Sequence, residues 1–480
     1  MFCIPRSLLV AGVVLLGGCA VPPRPEAPTL TETAPLAGLT AAAAANWPDS
    51  NWWQRYHDDQ LDTLEVRALE SAPNLAVARA RFEQALRAVD VAAAEAGLNV
   101  GANAQVTRQR LSENGLIPPK FLGFTWYNQG DLGLSFKYDF DFWGRHGAAV
   151  AAATDRTRAA AAERESAAIM VTSAVADAYF GWQATQARLQ LAHELVNLQE
   201  HVHAIAAARA RQEIDPLDIV LQSDAQLAGA REQVAALSGA AQIQRAAIAA
   251  LLGIAPADLP SLQPRALPTA IVGLPADAGL DLVARRADVS ASRWRVEAAL
   301  RDIDAARAAF YPDISLSAML GLQSIDLGKL FSAGSRVMSI GPALHLPLFD
   351  KSLPARFGVS QAALQAAVAD YNAAVVDAAR DVAAQALTLS QVQARQREHA
   401  AQIVAAENFR KSAQARETRG VADARPTLAA SAEVQRQRDA EIQLDVAALT
   451  AEIALTKALG GGYRTDASND ANAVSGATRQ

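Results

Sequence analysis

The sequence has two cysteines in 480 residues, Cys3 and Cys19, both within the first twenty positions. No disulfide framework therefore holds the rest of the chain. Long apolar runs are equally scarce. Past the N-terminus none reaches the ~18 residues of a membrane helix, so if the chain crosses a bilayer it must do so as β-structure. There is no basic block and no Lys/Arg stripe interleaved with aromatics, and the formal net charge is −6, which argues against a nucleic-acid partner. No phosphate loop, nucleophile elbow or zinc signature occurs. The seven histidines are dispersed, and His201 and His203, two apart on a helix, point to different faces and make no metal pair. The chain reads as no enzyme, with no catalytic residue, metal ligand or cofactor to assign.

What is present begins with a leader. Arg6 precedes an apolar run from Leu8 to Leu16, and Gly17-Gly18-Cys19 follows, the layout of a secretory signal peptide over residues 1–18. Leu16-Gly17-Gly18-Cys19 also resembles a bacterial lipobox, in which Cys19 becomes the lipidated first residue. The alternative is an ordinary cysteine closing the signal. A diacyl anchor there holds a protein to a bilayer without a spanning helix, at ~0.8 kcal/mol per buried methylene. Ala20, where aspartate would retain the protein, implies delivery to the outer membrane. Residues 19–45 read as a Pro/Ala-rich tether. Residues 464–480 are polar and aperiodic, and read as a disordered tail.

Between the tails lies an internal repeat. Residues 75–90 align with 289–304, 214 positions on, with Arg79, Arg81, Glu83, Ala85, Leu86, Arg87 and Asp90 recurring unchanged. Later the offset is 207: Phe142 pairs with Phe349, Leu221 with Leu428, and Leu252-Gly253 with Leu459-Gly460. The repeats divide at residues 46–278 and 279–463. Each reads as helix, strand, loop, strand, long helix, turn, long helix.

The strand signals alternate. From Leu132 to Phe142 every second residue is large and apolar, separated by Gly, Ser, Lys or Asp, the period of a strand with two unlike faces. Strands are expected over 99–110, 129–142, 313–324 and 335–348, the first after a helix near Asp59 to Gly97 and the third after a helix near Leu280 to Phe310. The long helices, 144–253 and 351–460, carry heptads. Val175, Trp182, Leu189 and Val196 are spaced by seven, as are Val220, Leu227, Val234, Ala241 and Ile248, and Val368, Val375, Val382 and Leu389. Sustained sevens pack along their length as a coiled coil. About 70 residues without proline make a rod of roughly 100 Å.

Four strands cannot close a membrane barrel, because the smallest bacterial barrels use about eight. An open sheet edge in lipid leaves backbone groups unsatisfied at several kcal/mol each. Either the strands pack on a soluble core, or several copies pool them.

Several motifs in order now carry a resemblance. They are Trp52-Trp53 followed by Asp58 to Asp62, Arg285 to Val289, Ala305 to Leu316 with its Tyr311-Pro312, Gly341 to Asp350, and Ala458-Leu459-Gly460-Gly461-Gly462-Tyr463. Together they are similar to the outer membrane factors of bacterial tripartite efflux pumps, the TolC family, and most of all its NodT-like lipoprotein branch. One departure is Arg286-Ala287-Asp288, where the family has Arg-Pro-Asp.

The resemblance implies a mainly α fold with a β-barrel portion. Three chains would form a TolC-like trimer whose twelve shared strands stand over a coiled-coil periplasmic tunnel, with an equatorial segment over 254–278. It implies a passive outer membrane channel for drugs or other small molecules, lipid-anchored, with a periplasmic adaptor protein and an inner-membrane efflux transporter as partners. Asp131, Lys137, Asp139 and Asp141 would face the lumen, and Leu132, Leu134, Phe136, Tyr138 and Phe140 outer membrane lipid. Phe121, Phe124, Trp126 and Tyr127, placed in a long loop from Leu111 to Asn128, would form an aromatic girdle or a small loop cluster. Adaptor docking would fall on two helix reversals, at Ile214, Asp215, Pro216 and Asp218 and at Arg419, Gly420, Val421 and Asp423; without the resemblance these are capped surface turns. In the family arrangement Asp215, Asp218 and Asp423 would supply an acidic periplasmic mouth with Arg419 and Arg425 as tethers across it, and Ala429 stands where relatives often carry a ring aspartate. The competing reading is a periplasmic adaptor or coiled-coil envelope scaffold, which a duplicated hairpin with only four strands disfavours.

Overall fold

The computed structural model describes residues 21–34, 36, 46–114, 118–271, 273–275 and 278–464. The signal segment, Cys19, residues 35 and 37–45 of the tether, Ile117 and the tail beyond 464 lie outside the described residues. The described residues separate into two compact units, one within 21–30, 82–159 and 292–371, the other within 31–81, 160–291 and 372–464. Each unit takes segments from both sequence repeats.

Element order follows the repeat. Helices α1 (Asp59–Ser71) and α2 (Pro73–Glu95) precede strand β1 (Asn99–Arg110) and strand β2 (Trp126–Phe140). Then come α3 (Arg145–Arg211) and α4 (Leu217–Leu251). The second half runs α5 (Ala278–Arg285), α6 (Ala287–Ala308), β3 (Asp313–Ser324), β4 (Arg336–His345), α7 (Ser352–Thr418) and α8 (Arg425–Ala458). Helices α3 and α7 are each 67 residues long, about 100 Å at 1.5 Å per residue. Helix α4 is long and apolar enough by composition to cross a bilayer, although Gln and Arg interrupt its apolar runs. Its buried Leu227, Ala241 and Ile248, and Val375, Val382 and Leu389 of α7, lie on the heptad rows.

The structure corrects three expectations. The single helix drawn from Asp59 to Gly97 is two helices, broken where Ala72 takes ψ 129°, because Pro73 has no N–H and excludes helical geometry at the residue before it. The helix drawn from Leu280 to Phe310 is also two, broken at Arg286 without any proline. Here tertiary contacts replace the ring. Arg286 donates through Nη1 to the carbonyl of Ala458 at 3.1 Å and through Nη2 to Asp288 at 2.6 Å. Third, Trp126 and Tyr127 open β2 and do not belong to the loop.

The core of the larger unit gathers Trp52, Trp53, Leu61, Leu64, Val175, Tyr179, Phe180, Ile248, Leu252, Leu449 and Ile453. Asp58 caps α1 by accepting from the backbone N–H of Gln60 at 2.9 Å, a contribution of about 1 kcal/mol. The same carboxylate accepts from the Tyr179 hydroxyl at 2.6 Å and from Arg265 at 2.8 Å. The repeat is also visible as a repeated contact. A Cβ on Gly253 would stand 2.9 Å from the Ser71 carbonyl oxygen, and one on Gly460 would stand 1.8 Å from that of Arg285. Ser71 and Arg285 occupy equivalent places in the two halves, at the end of the helix before each break.

Candidate functional site

The sheet of the smaller unit has the order β1-β2-β3-β4, antiparallel throughout. Ala102 pairs with Leu134, Leu134 with Leu320, and Leu320 with Met338. Paired residues of antiparallel strands share a face, and the face alternates at every residue. The register therefore sorts the sheet completely. One face carries Val100, Val106, Leu132, Leu134, Phe136, Tyr138, Phe140, Ile314, Leu316, Leu320, Leu322, Met338, Ile340 and Leu344. The other carries Asn99, Asn103, Gln105, Thr107, Gln129, Asp131, Ser135, Lys137, Asp139, Ser315, Ser317 and Gln323.

The apolar face is uncovered. Leu134, Leu320, Met338, Ile340 and Leu344 are 43–75% exposed, more contiguous apolar surface than a soluble monomer carries without a use for it. Aromatic rings continue it at the helical end, where Tyr138 meets Phe140 edge-on and Phe140 stacks on Phe142. On the polar face, Lys137 pairs with Asp139 at 3.1 Å. Asp131 accepts from Gln129 at 3.0 Å and from Gln323 at 2.8 Å. Asp141 does not lie on the strand. It follows β2 and accepts from the backbone N–H of Gly147 at 2.8 Å, closing the first turn of α3. Strands β1 and β4 are the two edges of the sheet, and neither has a strand on its outer side among the described residues.

The two helix reversals of the larger unit share one construction. After α3, Glu213 has φ 58° and the N–H of Ile214 donates to the carbonyl of Arg209. After α7, Gly420 has φ 69° and the N–H of Val421 donates to the carbonyl of Arg416. Both are left-handed C-terminal closures of the helix. The glycine was legible in the sequence, whereas its counterpart Glu213 gave no signal. Ile214 is 54% and Val421 73% exposed. Pro216 precedes α4, and Asp218 is an exposed first-turn acid.

An ion network joins the reversals. Asp215 accepts from Arg209 Nε at 2.7 Å and from Arg425 Nη1 at 3.1 Å, and Arg425 also donates to Asp423 at 2.9 Å. Hydrogen bonding from Arg209 comes first among the causes that hold the Asp215 carboxyl below the usual carboxylate range, and that from Arg425 does the same for Asp423. The sequence pointed to Arg425 but also to Arg419, which enters no ion pair among the described residues. It gave no hint of Arg209, which is one helical turn before the reversal and looks like any solvated arginine.

The family model described as "Outer membrane efflux protein" matches residues 64–254 and 281–461. The chain belongs to the outer membrane efflux protein family. Among its relatives, the multidrug resistance outer membrane protein MdtP of Escherichia coli K12 is 33% identical over 470 residues, 95% of this chain and 96% of that protein. MdtQ of Escherichia coli O157:H7 is 36% identical, over 94% of this chain and 97% of that protein. The solved structure of the outer membrane protein VceC from Vibrio cholerae superposes with a TM-score of 0.77 at 33% identity, covering 87% of this chain and all of VceC.

As a member of this efflux family the protein is an outer membrane channel, with a mainly α fold whose sheet is a barrel portion. The adaptor and scaffold readings fall. The gap between the two matched stretches, 255–280, takes in most of the segment that joins α4 to α5.

Proposed function

We propose that three copies pool their sheets into one twelve-stranded barrel, anchored by lipid on Cys19, and conduct drugs or other small molecules passively from the periplasm to the exterior. The observation that carries this reading is a sheet with one bare apolar face, one polar face and two open edges. Such a sheet is unstable alone in either solvent. Pairing β1 of one copy with β4 of the next satisfies both edges and turns the polar faces inward, since a closed barrel is the one sheet arrangement without edges in lipid. Residues 46–278 and 279–463 are then two repeats of one building unit, with 254–278 as an equatorial belt. Ile214, Pro216, Asp218, Gly420 and Val421 at the reversals dock a periplasmic adaptor protein, beneath which an inner-membrane efflux transporter supplies the substrate.

Native mass spectrometry of the full-length protein, extracted from outer membrane in detergent, tests the assembly. A particle of three chains, each with acyl mass on Cys19, is the expected result; a lipidated monomer overturns it. On the lipid face, Leu134→Arg is expected to cost about 2–4 kcal/mol and to deplete assembled protein, with Ser135→Arg on the opposite face much milder. Equal depletion by both would count against the assignment of faces.

The network through Asp215 acts as a latch between the two reversals. Arg425→Ala frees Asp423 and one side of Asp215, and the single-channel conductance of the purified protein is expected to rise. Because both carboxyl pKa values are depressed, the latch is held above the usual carboxylate range and releases only as pH falls through the lowered values. Conductance of the unmodified protein is thus expected to stay level through mild acid. Opening at a pH near that of histidine titration would point to another group.

A further inference from the structure

The polar face of the sheet carries few charges, and their placement is uneven. Among its strand residues only Asp131, Lys137, Asp139, Asp313 and His345 are acidic, basic or histidine. At the helical end they come in pairs. Lys137 lies 3.1 Å from Asp139, and Asp313 stands in register with His345. Toward the loop end, Asp131 stands by itself.

The charges nearest that end are used elsewhere. Lys329 and Asp326, in the loop between β3 and β4, pair with each other at 3.6 Å, as do Arg110 and Glu113, and Lys120, between β1 and β2, lies over the Phe121 ring. Arg108 lies over the Trp126 ring and, like Arg336, belongs to the apolar face of the sheet by register. Lys137 is six residues along β2 from Asp131, roughly 20 Å in an extended strand, more than twice the ~8 Å screening length at physiological salt. Asp131 enters no ion pair among the described residues.

The carboxylate is nevertheless held in place. Gln129 donates to both of its oxygens, at 3.0 and 3.1 Å, and Gln323 on the neighbouring strand donates at 2.8 Å. On the other side its register partner is Gln105. Neutral amides thus fix the position of a full negative charge without cancelling it. An arginine or lysine at any of these places would have removed it.

We infer that Asp131 sets the charge preference of the loop-proximal half of the pore, favouring cations and cationic substrates over anions. This rests on the trimeric channel reading, in which the polar face lines the lumen and Asp131 occurs three times at one level. A ring of carboxylates in a water-filled passage raises the local concentration of cations and lowers that of anions. Asp139, neutralised by Lys137, contributes little to the same effect. Selectivity along the barrel is therefore concentrated at one level and not spread over its wall.

The test is ion selectivity of the full-length protein in planar bilayers, read as the reversal potential in a KCl gradient centred on physiological ionic strength. Four variants are compared with the unmodified channel: Asp131→Asn, Asp131→Lys, Gln105→Lys and Lys137→Gln. The K+ to Cl− permeability ratio is expected to fall toward unity in Asp131→Asn and to drop further in Asp131→Lys. Gln105→Lys, which adds a cation beside Asp131 without touching its amide donors, is expected to lower the ratio even if the Asp131 variants assemble poorly. Lys137→Gln is expected to raise the ratio modestly, by exposing Asp139. Conducting trimers of Asp131→Asn or Gln105→Lys with an unchanged ratio overturn the inference and leave the channel reading intact. Unmodified protein that forms trimers without any conductance removes the channel reading, and the inference with it.

Discussion

Replacing Gly460 by alanine is expected to leave little or no folded protein in the membrane, while the same change at Gly229 or Gly239 leaves the level unchanged or higher. Gly460, Gly461 and Gly462 have φ of 95°, 53° and 88°, in the left-handed half of backbone space that residues with a Cβ rarely adopt. Space is just as restrictive. A methyl group on Gly460 would fall 1.8 Å from the Arg285 carbonyl oxygen, and one on Gly462 would fall 2.3 Å from the backbone of Asp49 and Ser50. Backbone atoms cannot yield as the tip of a side chain can. The penalty belongs with the exceptional substitutions above about 4 kcal/mol, because it combines strain with a collision at the break between α5 and α6. Gly229 and Gly239, within α4, have open space where a Cβ would stand, with no described neighbour inside 4 Å, and alanine there gains about 1 kcal/mol of helix propensity. Immunoblots of outer membrane fractions and thermal unfolding in detergent separate the two cases. Wild-type levels of Gly460→Ala would mean that the break tolerates a shift of Arg285.

The second large effect has the opposite sign: Glu65→Leu is expected to stabilise the protein. Glu65 on α1 is fully buried, and neither carboxylate oxygen has a hydrogen-bond partner among the described residues. Burial, reinforced by the charge of Asp62, pushes its carboxyl up to about 9 from an ordinary 4.5. The group is therefore neutral in the folded chain at pH 7 and ionised in the unfolded one. With the folded value raised, the stability it contributes is complete below pH 4.5 and is lost as pH rises toward 9, at about 1.4 kcal/mol per unit. At neutral pH the loss amounts to about 3 kcal/mol, which an apolar residue of similar volume avoids. The unfolding temperature of Glu65→Leu should exceed that of the unmodified protein at pH 7 to 8, and the two should converge toward pH 5. A parallel pH dependence in both proteins would assign the slope to other groups.

The two effects differ in how far the sequence announced them. Three consecutive glycines after the last helix stand out as a motif, because a helix that must stop and turn sharply needs residues free to take positive φ. Glu65 gives no such sign, since a glutamate in a polar-apolar helix reads as surface. Only the packing of α1 in the core showed it to be enclosed.

The same division runs through the rest of the molecule. Local chemistry is written in the chain: alternation by two gives a strand with unlike faces, sevens give a packed helix, and Pro73 breaks a helix because its ring excludes the geometry. Duplication is written there too, as recurring arginines and the paired Leu-Gly. These features, with the ordered motifs, were enough for the family and the fold class. Tertiary structure decided what depends on separated residues meeting. The break at Arg286 is made by the Ala458 carbonyl and Gly460, from a segment more than 170 positions away. The ion network between the reversals needs Arg209, Asp215 and Arg425, and Asp131 is distinguished by a register that sets Gln105 and Gln323, and no cation, opposite it. Sequence determines these contacts only through the fold, because a hydrogen bond or an ion pair depends on ångström distances that no spacing along the chain encodes.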